Sequence, residues 1–169
     1  MGLIRSDDAD RIWEVASRGG ESDFHVLTTA GPVVMGFDGA LRSTEDGTTW
    51  TEVALPAPIA DLALSPDGQD LLVTTESGLQ RSTDRGGTWE PLPDAPPMIF
   101  VHWADADTVV GLSVEDQIMV SQDAGKTFAA RGEAPAQEVV AFSESMQGDT
   151  LEALLALEDE VRVISLPDQ

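Results

Sequence analysis

The sequence predicts an all-β fold of about four repeated units with four strands each, and three observations carry this prediction. A short polar string that ends in an aromatic residue returns along the chain, with its serines at positions 6, 43, 82 and 121. Short apolar or alternating segments of strand length flank each copy. Prolines recur between the copies at one phase of the repeat, as at Pro56, Pro93 and Pro135. A period of about 40 residues indicates a repeat architecture.

The repeated string has the form Ser-x-Asp-x-Gly-x-Thr-aromatic. One copy is complete, and its defining residues are Ser82, Asp84, Gly86, Thr88 and Trp89. The partial copies are Ser43, Glu45, Gly47, Thr49 and Trp50, then Ser121, Asp123, Gly125, Thr127 and Phe128, and a worn one with Ser6, Asp8 and Trp13. An Asp side chain accepts hydrogen bonds from turn N–H groups, and Gly adopts positive φ. Each string therefore predicts the tight loop of a β-hairpin.

The elements follow in order along the chain. It opens on GLIRS and RIWEVA, which correspond to the last two strands of a unit. Three complete units follow, and they begin with the strand pairs FHVLTT and VVMGF, ADLALS and DLLVTT, and MIFVHW and TVVGLS. The chain ends on EVVAFS, LEALLAL and VRVISL, the first three strands of another unit. Residues 150–161 contain helix-forming letters, but a second strand is required there, so we predict a strand.

Four-stranded units of about 40 residues are typical of the blades of a β-propeller. We predict a single propeller domain, or part of a propeller, with blades at about 1–20 (partial), 21–57, 58–96, 97–135 and 136–169 (partial). The two terminal pieces could combine into one blade with a surplus strand and close a four-blade ring. Alternatively, the chain is an arc of a larger ring. An arc exposes two apolar blade faces and favours a homodimer or a larger assembly.

These strings resemble Asp-box repeats, also called bacterial neuraminidase repeats, and the resemblance covers nearly the whole chain. Asp boxes occur in sialidases, other glycoside hydrolases, sortilin-type receptors and photosystem II assembly factors, at blade edges away from the active sites. The run GLIRSDDADRIWEVASRGGESDFHVL also resembles bacterial sialidase-like and glycosyl hydrolase-like Asp-box proteins. The resemblance implies a propeller and an extracytoplasmic location, although the N-terminus has acids where an export signal needs an apolar core.

Composition narrows the classes of partner and chemistry. The formal net charge is −22, and the nine basic residues are scattered. Binding to nucleic acid or to anionic membrane surfaces needs basic clusters, so neither is predicted. No apolar run approaches the roughly 18 residues that span a bilayer, so membrane insertion is not predicted either. The absence of cysteine excludes disulfides, thiolate catalysis and Cys-ligated metal.

The sialidase chemistry that the resemblance suggests lacks its nucleophile. Sialidases resemble one another in a Tyr paired with a Glu, an acid/base Asp and three Arg, and this chain has no tyrosine. Arg5, Arg42 and Arg81 each precede a box serine, so they mark one repeated strand position rather than a converging clamp. Other glycosidases use two carboxylates about 5 to 9 Å apart. The acidic runs at 105–107 and 158–160 are typical of solvated turns, so no catalytic residue, cofactor or metal site is predicted.

Four residues are candidates for ligand binding. His25 and His102 fall on the predicted first strand of a repeat, which lines the central channel of a propeller. Asp23 alternates with His25 onto one face, where the two form a possible acid/base or ligand-binding pair. Trp103 could stack on a sugar, with a place in the blade core as the competing interpretation. We therefore predict a non-catalytic scaffold that binds a protein or a carbohydrate. The alternative is a glycoside hydrolase-like protein or its degenerate relative.

Overall fold

Seventeen β-strands make up the regular structure of the computed structural model, which describes residues 2–8, 10–148 and 150–167. The strands form five antiparallel sheets, and the described residues form no helix. The predicted all-β fold is confirmed. The described part of the chain contains no helical segment capable of crossing a bilayer.

Each sheet takes its strands from one continuous stretch of chain, in sequence order. The N-terminal hairpin consists of β1 (Leu3–Arg5) and β2 (Glu14–Ser17). The first complete blade consists of β3 (Val26–Ala30), β4 (Val33–Phe37), β5 (Leu41–Thr44) and β6 (Thr51–Val53). The second consists of β7 (Ile59–Leu64), β8 (Leu71–Thr75), β9 (Gly78–Ser82) and β10 (Glu90–Pro91). The third consists of β11 (Met98–Trp103), β12 (Val109–Ser113), β13 (Gln117–Ser121) and β14 (Ala129–Glu133). The C-terminal sheet consists of β15 (Ala141–Gln147), β16 (Thr150–Ala156) and β17 (Val161–Leu166).

Residues 150–156 form the strand β16, as predicted against their helix-forming composition. The strand pairs on both edges, with β15 on one side and β17 on the other. Leu155 and Ala153 point to one face and are fully buried. The two-residue period of this burial is the pattern of a strand.

The blades stack through their first strands. β3 packs on β7, β7 on β11, and β11 on β15. Three apolar clusters fill the three spaces from the first complete blade to the C-terminal sheet. Alternate residues of one strand serve different clusters: Leu71 and Val73 of β8 face the first complete blade, whereas Leu72 between them faces the third. A central blade is therefore buried on both faces, which is the packing of a propeller.

The five sheets form an open series. In the described residues β1 pairs only with β2, and β17 pairs only with β16. No described hydrogen bond or ion pair links the N-terminal hairpin to the C-terminal sheet. The described residues form a propeller of about four blades, in which the two terminal sheets are not hydrogen-bonded into one blade.

The boxes that begin at Ser82 and Ser121 have the predicted loop chemistry. Ser82 Oγ donates to Asp84 Oδ1 over 2.8 Å and accepts the Gly86 N–H over 2.7 Å. The Asp84 carboxylate accepts the N–H and the hydroxyl of Thr88. The box at Ser121 repeats each of these bonds. In both loops the glycine and the residue before it have positive φ.

The box in the first complete blade has a different register from the predicted one. Thr44, not Ser43, donates to a carboxylate and accepts the Gly47 N–H, and the carboxylate is that of Asp46, not Glu45. Asp46 also accepts the N–H groups of residues 48 and 49. This loop is one residue shorter than the loops that begin at Ser82 and Ser121. The sequence prediction aligned Ser43 with the other box serines and therefore missed the difference. Glu45 instead forms an ion pair with Arg85 of the next box, at 2.9 Å.

Candidate ligand-binding site

Three ionisable residues lie on the first strands of adjacent sheets: Asp61 on β7, His102 on β11 and Glu144 on β15. The packing of β7 on β11 and of β11 on β15 brings these strands together. His102 Nδ1 lies 3.5 Å from Glu144 Oε2. We call this group the inner-strand site, because first strands line the axis of a propeller.

Asp61 joins the second blade to the third. Its Oδ2 accepts the Val101 N–H over 2.9 Å, and its own N–H donates to Thr74 Oγ1 over 2.8 Å. Thr74 Oγ1 in turn donates to the Ile99 carbonyl over 3.2 Å. Burial raises the pKa of the Asp61 carboxyl, against the opposing effect of the N–H groups that it accepts. This carboxylate is committed to bonds within the protein.

Glu144 is the second carboxylate of the site, and its side chain is 18% exposed. Burial raises its pKa, and the nearby His102 only partly offsets this effect. Its Oε2 is buried and has no hydrogen-bond partner among the described residues. The His102 ring packs on the Phe142 ring, with centroids 6.1 Å apart, and about a third of the His102 side chain is exposed. A buried oxygen without a donor is costly, so a ligand that supplies a hydrogen-bond donor would be favoured here.

The structure separates the four predicted ligand residues. His102 belongs to the inner-strand site. Trp103, its neighbour on β11, is buried in the cluster between the second and third blades. Asp23 and His25 lie just before β3 and not on a strand, and both are exposed. His25 donates its backbone N–H to the Phe37 carbonyl over 2.9 Å, and no described hydrogen bond or ion pair joins it to His102. Ligand binding by any of the four stays a prediction.

Sequence reasoning missed Asp61 and Glu144, although a signal was present. Both are acids inside otherwise strand-like segments, ADLALS and AFSESM. Positions 61, 102 and 144 are separated by about one repeat, so the three residues occupy related places in consecutive units. Polar residues at one phase of a repeat, on the strand nearest the axis, converge in space.

Metal binding finds no support in the described residues. They contain no group of three or more His, Asp or Glu side chains that could hold a metal ion. The acids at 105–107 serve a turn, where the Asp105 carboxylate accepts the N–H groups of Asp107 and Thr108. These bonds lower the pKa of Asp105, although burial opposes them.

One comparison concerns the repeat. Residues 80–91 match the family described as BNR/Asp-box repeat. This match contains the complete box, Ser82 to Trp89, and confirms the resemblance from which the repeat was recognised. No curated protein matches the chain by sequence.

Solved structures share the fold at low sequence identity. The GH74 xyloglucanase from Xanthomonas campestris is 18% identical with a TM-score of 0.61, and the match covers 86% of this chain and 26% of that one. YCF48 bound to D1 peptide is 14% identical with a TM-score of 0.64, and the match covers 88% and 51%. The computationally designed Ika4 protein is 11% identical with a TM-score of 0.57, and the match covers 87% and 93%. The chain thus spans about a quarter of the xyloglucanase and half of YCF48, and it is a β-propeller that contains a match to the BNR/Asp-box repeat at residues 80–91.

Proposed function

We propose that the chain is a non-catalytic scaffold that binds a cationic segment of a protein at the inner-strand site. The observation that carries the proposal is Glu144 Oε2, which is buried beside His102 and lacks a donor. A lysine ammonium or an arginine guanidinium supplies donors and the opposite charge. The formal net charge of −22 attracts such a segment over a long range. A similar fold occurs in YCF48, whose structure contains the D1 peptide.

The site is poorly suited to hydrolysis of a glycosidic bond. That reaction needs two carboxylates that both reach the substrate, one as acid and one as base or nucleophile. Asp61 is 6% exposed, and its Oδ2 is occupied by the Val101 N–H. Glu144 is the remaining carboxylate of the site, whereas hydrolysis of a glycosidic bond requires two.

The test is a titration with a fluorescently labelled decalysine peptide in 150 mM salt. Glu144→Gln removes the carboxylate charge of Glu144 while keeping the shape of the side chain, and Glu158→Gln removes the same charge at an exposed turn. We expect affinity to fall by about tenfold or more in the first variant, since a hydrogen bond to a charged group is worth about 1.5–3 kcal/mol. The second variant should stay within about twofold of the wild type. Equal losses in both variants would show attraction by overall charge and would contradict the proposal.

A glycoside hydrolase-like activity is the second candidate, and the fold shared with the GH74 xyloglucanase favours it. Incubation with xyloglucan and measurement of new reducing ends tests it directly. We expect no release above that of a heat-denatured sample. Release that disappears in the Glu144→Gln variant would show that the protein is an enzyme and would contradict the proposed binding scaffold.

A further inference from the structure

We propose that acidification releases the cationic segment from the inner-strand site, because a protonated His102 and the ligand compete for the same carboxylate, that of Glu144. This switch rests on the proposed function, since it acts on the cation bound there, and it adds the condition under which that cation leaves. The position of the contested oxygen, the face on which the pair lies, the packing of the histidine ring and the surrounding charges support it.

The contested oxygen is Glu144 Oε2. It lies 3.5 Å from His102 Nδ1 and has no hydrogen-bond partner among the described residues. An N–H···O hydrogen bond spans about 2.7–3.2 Å, so an approach of a few tenths of an ångström would bring the ring into bonding distance. A buried oxygen without a donor is costly. Glu144 is therefore open to two donors, one from the ligand and one from its own neighbour.

The pair lies on the inner face of the C-terminal sheet. Glu144 of β15 is directly opposite Ala153 of β16, and Ala153 belongs to the cluster between this sheet and the third blade. Opposite residues of an antiparallel pair have their side chains on the same face. Glu144 therefore points toward β11, and its contact with His102 does not involve the outer face of the sheet.

The His102 ring is held in place but remains open to solvent. It packs on the Phe142 ring with centroids 6.1 Å apart, and Phe142 stacks on Phe100 at 6.2 Å. About a third of the His102 side chain is exposed, so protons from water reach it. Histidine ordinarily changes its charge between pH 5 and 8. The charged ring donates from both nitrogens, and its bond to a carboxylate is about twice as strong as a neutral one.

Few other ionisable groups surround the pair. Of the strands that pack on or pair with β11, β7 has Asp61 alone, and β8 and β12 have none. On β16, Glu152 is opposite Ser145 and therefore lies on the other face of the sheet. Burial raises the pKa of both the Asp61 and Glu144 carboxyls, and the positive charge of His102 opposes this effect at each. A proton on His102 thus stabilises two carboxylates, including the one that the ligand needs.

Protonation of His102 changes the charge that a ligand meets. With the ring neutral, a lysine or arginine of the ligand is attracted by the carboxylate of Glu144. With the ring charged, the pair has no net charge, and the ligand cation is repelled by the imidazolium. The coupling is reciprocal, so a bound cation opposes protonation of the ring. Binding at acid pH must therefore displace a proton.

The first experiment measures the affinity for decalysine at pH 8.0 and pH 5.5 in 150 mM salt, with a label that does not titrate in this range. Lysine keeps its charge at both values, whereas about nine-tenths of ordinary histidines are charged at pH 5.5. We expect the wild type to lose about tenfold in affinity at the lower pH. Glu144→Gln should change by less than about twofold, because the contested charge is absent. Equal wild-type affinities at the two pH values would overturn the switch.

The two histidines of the chain provide a matched control. His102→Phe keeps a ring against Phe142 but binds no proton, so the ratio of its affinities at pH 8.0 and 5.5 should stay below about two. His25→Phe removes the exposed histidine outside the site and should keep the tenfold ratio. A tenfold ratio in His102→Phe would assign the proton to another group and overturn the proposal. Circular dichroism checks folding, and His102→Gln serves if His102→Phe is unfolded.

The second experiment counts protons. Calorimetric titration with decalysine at pH 6.0, in two buffers of different ionisation heat, measures the protons released on binding. We expect release from the wild type and from His25→Phe, and none from His102→Phe; release from all three would overturn the role of His102. Equal affinities of Glu144→Gln and Glu158→Gln at pH 8.0 would refute the binding proposal itself. A Glu144 dependence at pH 8.0 without loss of wild-type affinity at pH 5.5 would refute the switch alone.

Discussion

The second complete blade and the C-terminal sheet have similar strands but different burial. In β8, Leu71, Leu72 and Val73 are all fully buried, because blades lie against both faces. In β17, Leu166 is buried while Val161 and Val163 are exposed. A blade's stability therefore comes from its neighbours as much as from its own strands, as in other repeat proteins.

The largest effect should come from breaking the core between central blades. We expect Leu72→Ala to lower the free energy of unfolding by about 2–5 kcal/mol, because the cavity it leaves is closed on both sides. Ile12→Ala, at an exposed loop of the hairpin, should stay within about 0.5 kcal/mol of the wild type. Urea unfolding of both variants measures the contrast. Similar losses of unfolding free energy at Leu72 and Ile12 would mean that the N-terminal hairpin is as well packed as the central blades.

Two glycines with positive φ lie in different surroundings, one against a neighbouring blade and one in an open turn. Gly86 has φ of 88°, and a Cβ there would lie 2.3 Å from Val53 Cγ1 of the preceding blade. Gly148, in the turn before β16, has φ of 64°, and a Cβ there would meet nothing within 4 Å. We expect Gly86→Ala to cost about 2–4 kcal/mol through strain and overpacking, and Gly148→Ala about 1–2 kcal/mol through strain alone. Thermal and urea unfolding would separate the two costs.

The shortened box provides a test of register within one loop. Thr44 is 3% exposed, and its hydroxyl accepts the Gly47 N–H over 2.9 Å. Thr44→Ala should therefore cost about 1–3 kcal/mol, since the partly buried N–H of Gly47 loses its acceptor. Ser43→Ala should cost less than about 0.5 kcal/mol, because Ser43 takes no part in the loop bonds. A larger loss of unfolding free energy for Ser43→Ala than for Thr44→Ala would instead support the predicted register, in which Ser43 forms the loop bonds.

The smallest effects are expected from pH, and they have opposite signs in the two kinds of site. In the box, the N–H and hydroxyl of Thr127 and the hydroxyl of Ser121 lower the pKa of Asp123 from 3.8 to about 2. Its stabilisation is therefore present above pH 3.8 and is lost as the pH falls toward 2. Asp123→Asn should flatten the acid limb of a stability curve recorded by urea unfolding from pH 2 to pH 8.

At the inner-strand site, burial raises the pKa of Glu144 above its ordinary 4.5. The folded state then holds a proton more tightly than the unfolded state, so stability declines as the pH rises from 4.5 through the raised value. Glu144→Gln should remove this decline and increase stability at pH 7 relative to pH 4. An unchanged slope in this variant would show that Glu144 is ionised in the folded protein without cost.

Much of the fold could be predicted because the repeat is periodic and local. The spacing of the boxes and the two-residue period of apolar positions predicted each sheet, including β16 against its composition. The register of the box at residues 43–50 could not be predicted, because Ser43 with Glu45 and Thr44 with Asp46 offer the same chemistry one residue apart. Their burial decides between them, since Thr44 is 3% exposed and Ser43 is only partly buried.

Of the inner-strand site, sequence reasoning identified His102 alone. A histidine is conspicuous in a chain that has two, whereas Asp61 and Glu144 are two among 31 acids. Only packing between blades distinguishes them, because it buries Asp61, partly buries Glu144 and places His102 beside the latter.

By itself the sequence determined the strands, their order and the loops between them, since these depend on local periodicity and turn chemistry. Which faces are covered and which carboxylates are buried depends on the tertiary structure. Those properties depend on contacts between blades about 40 residues apart in the chain, and no local pattern of residues encodes them.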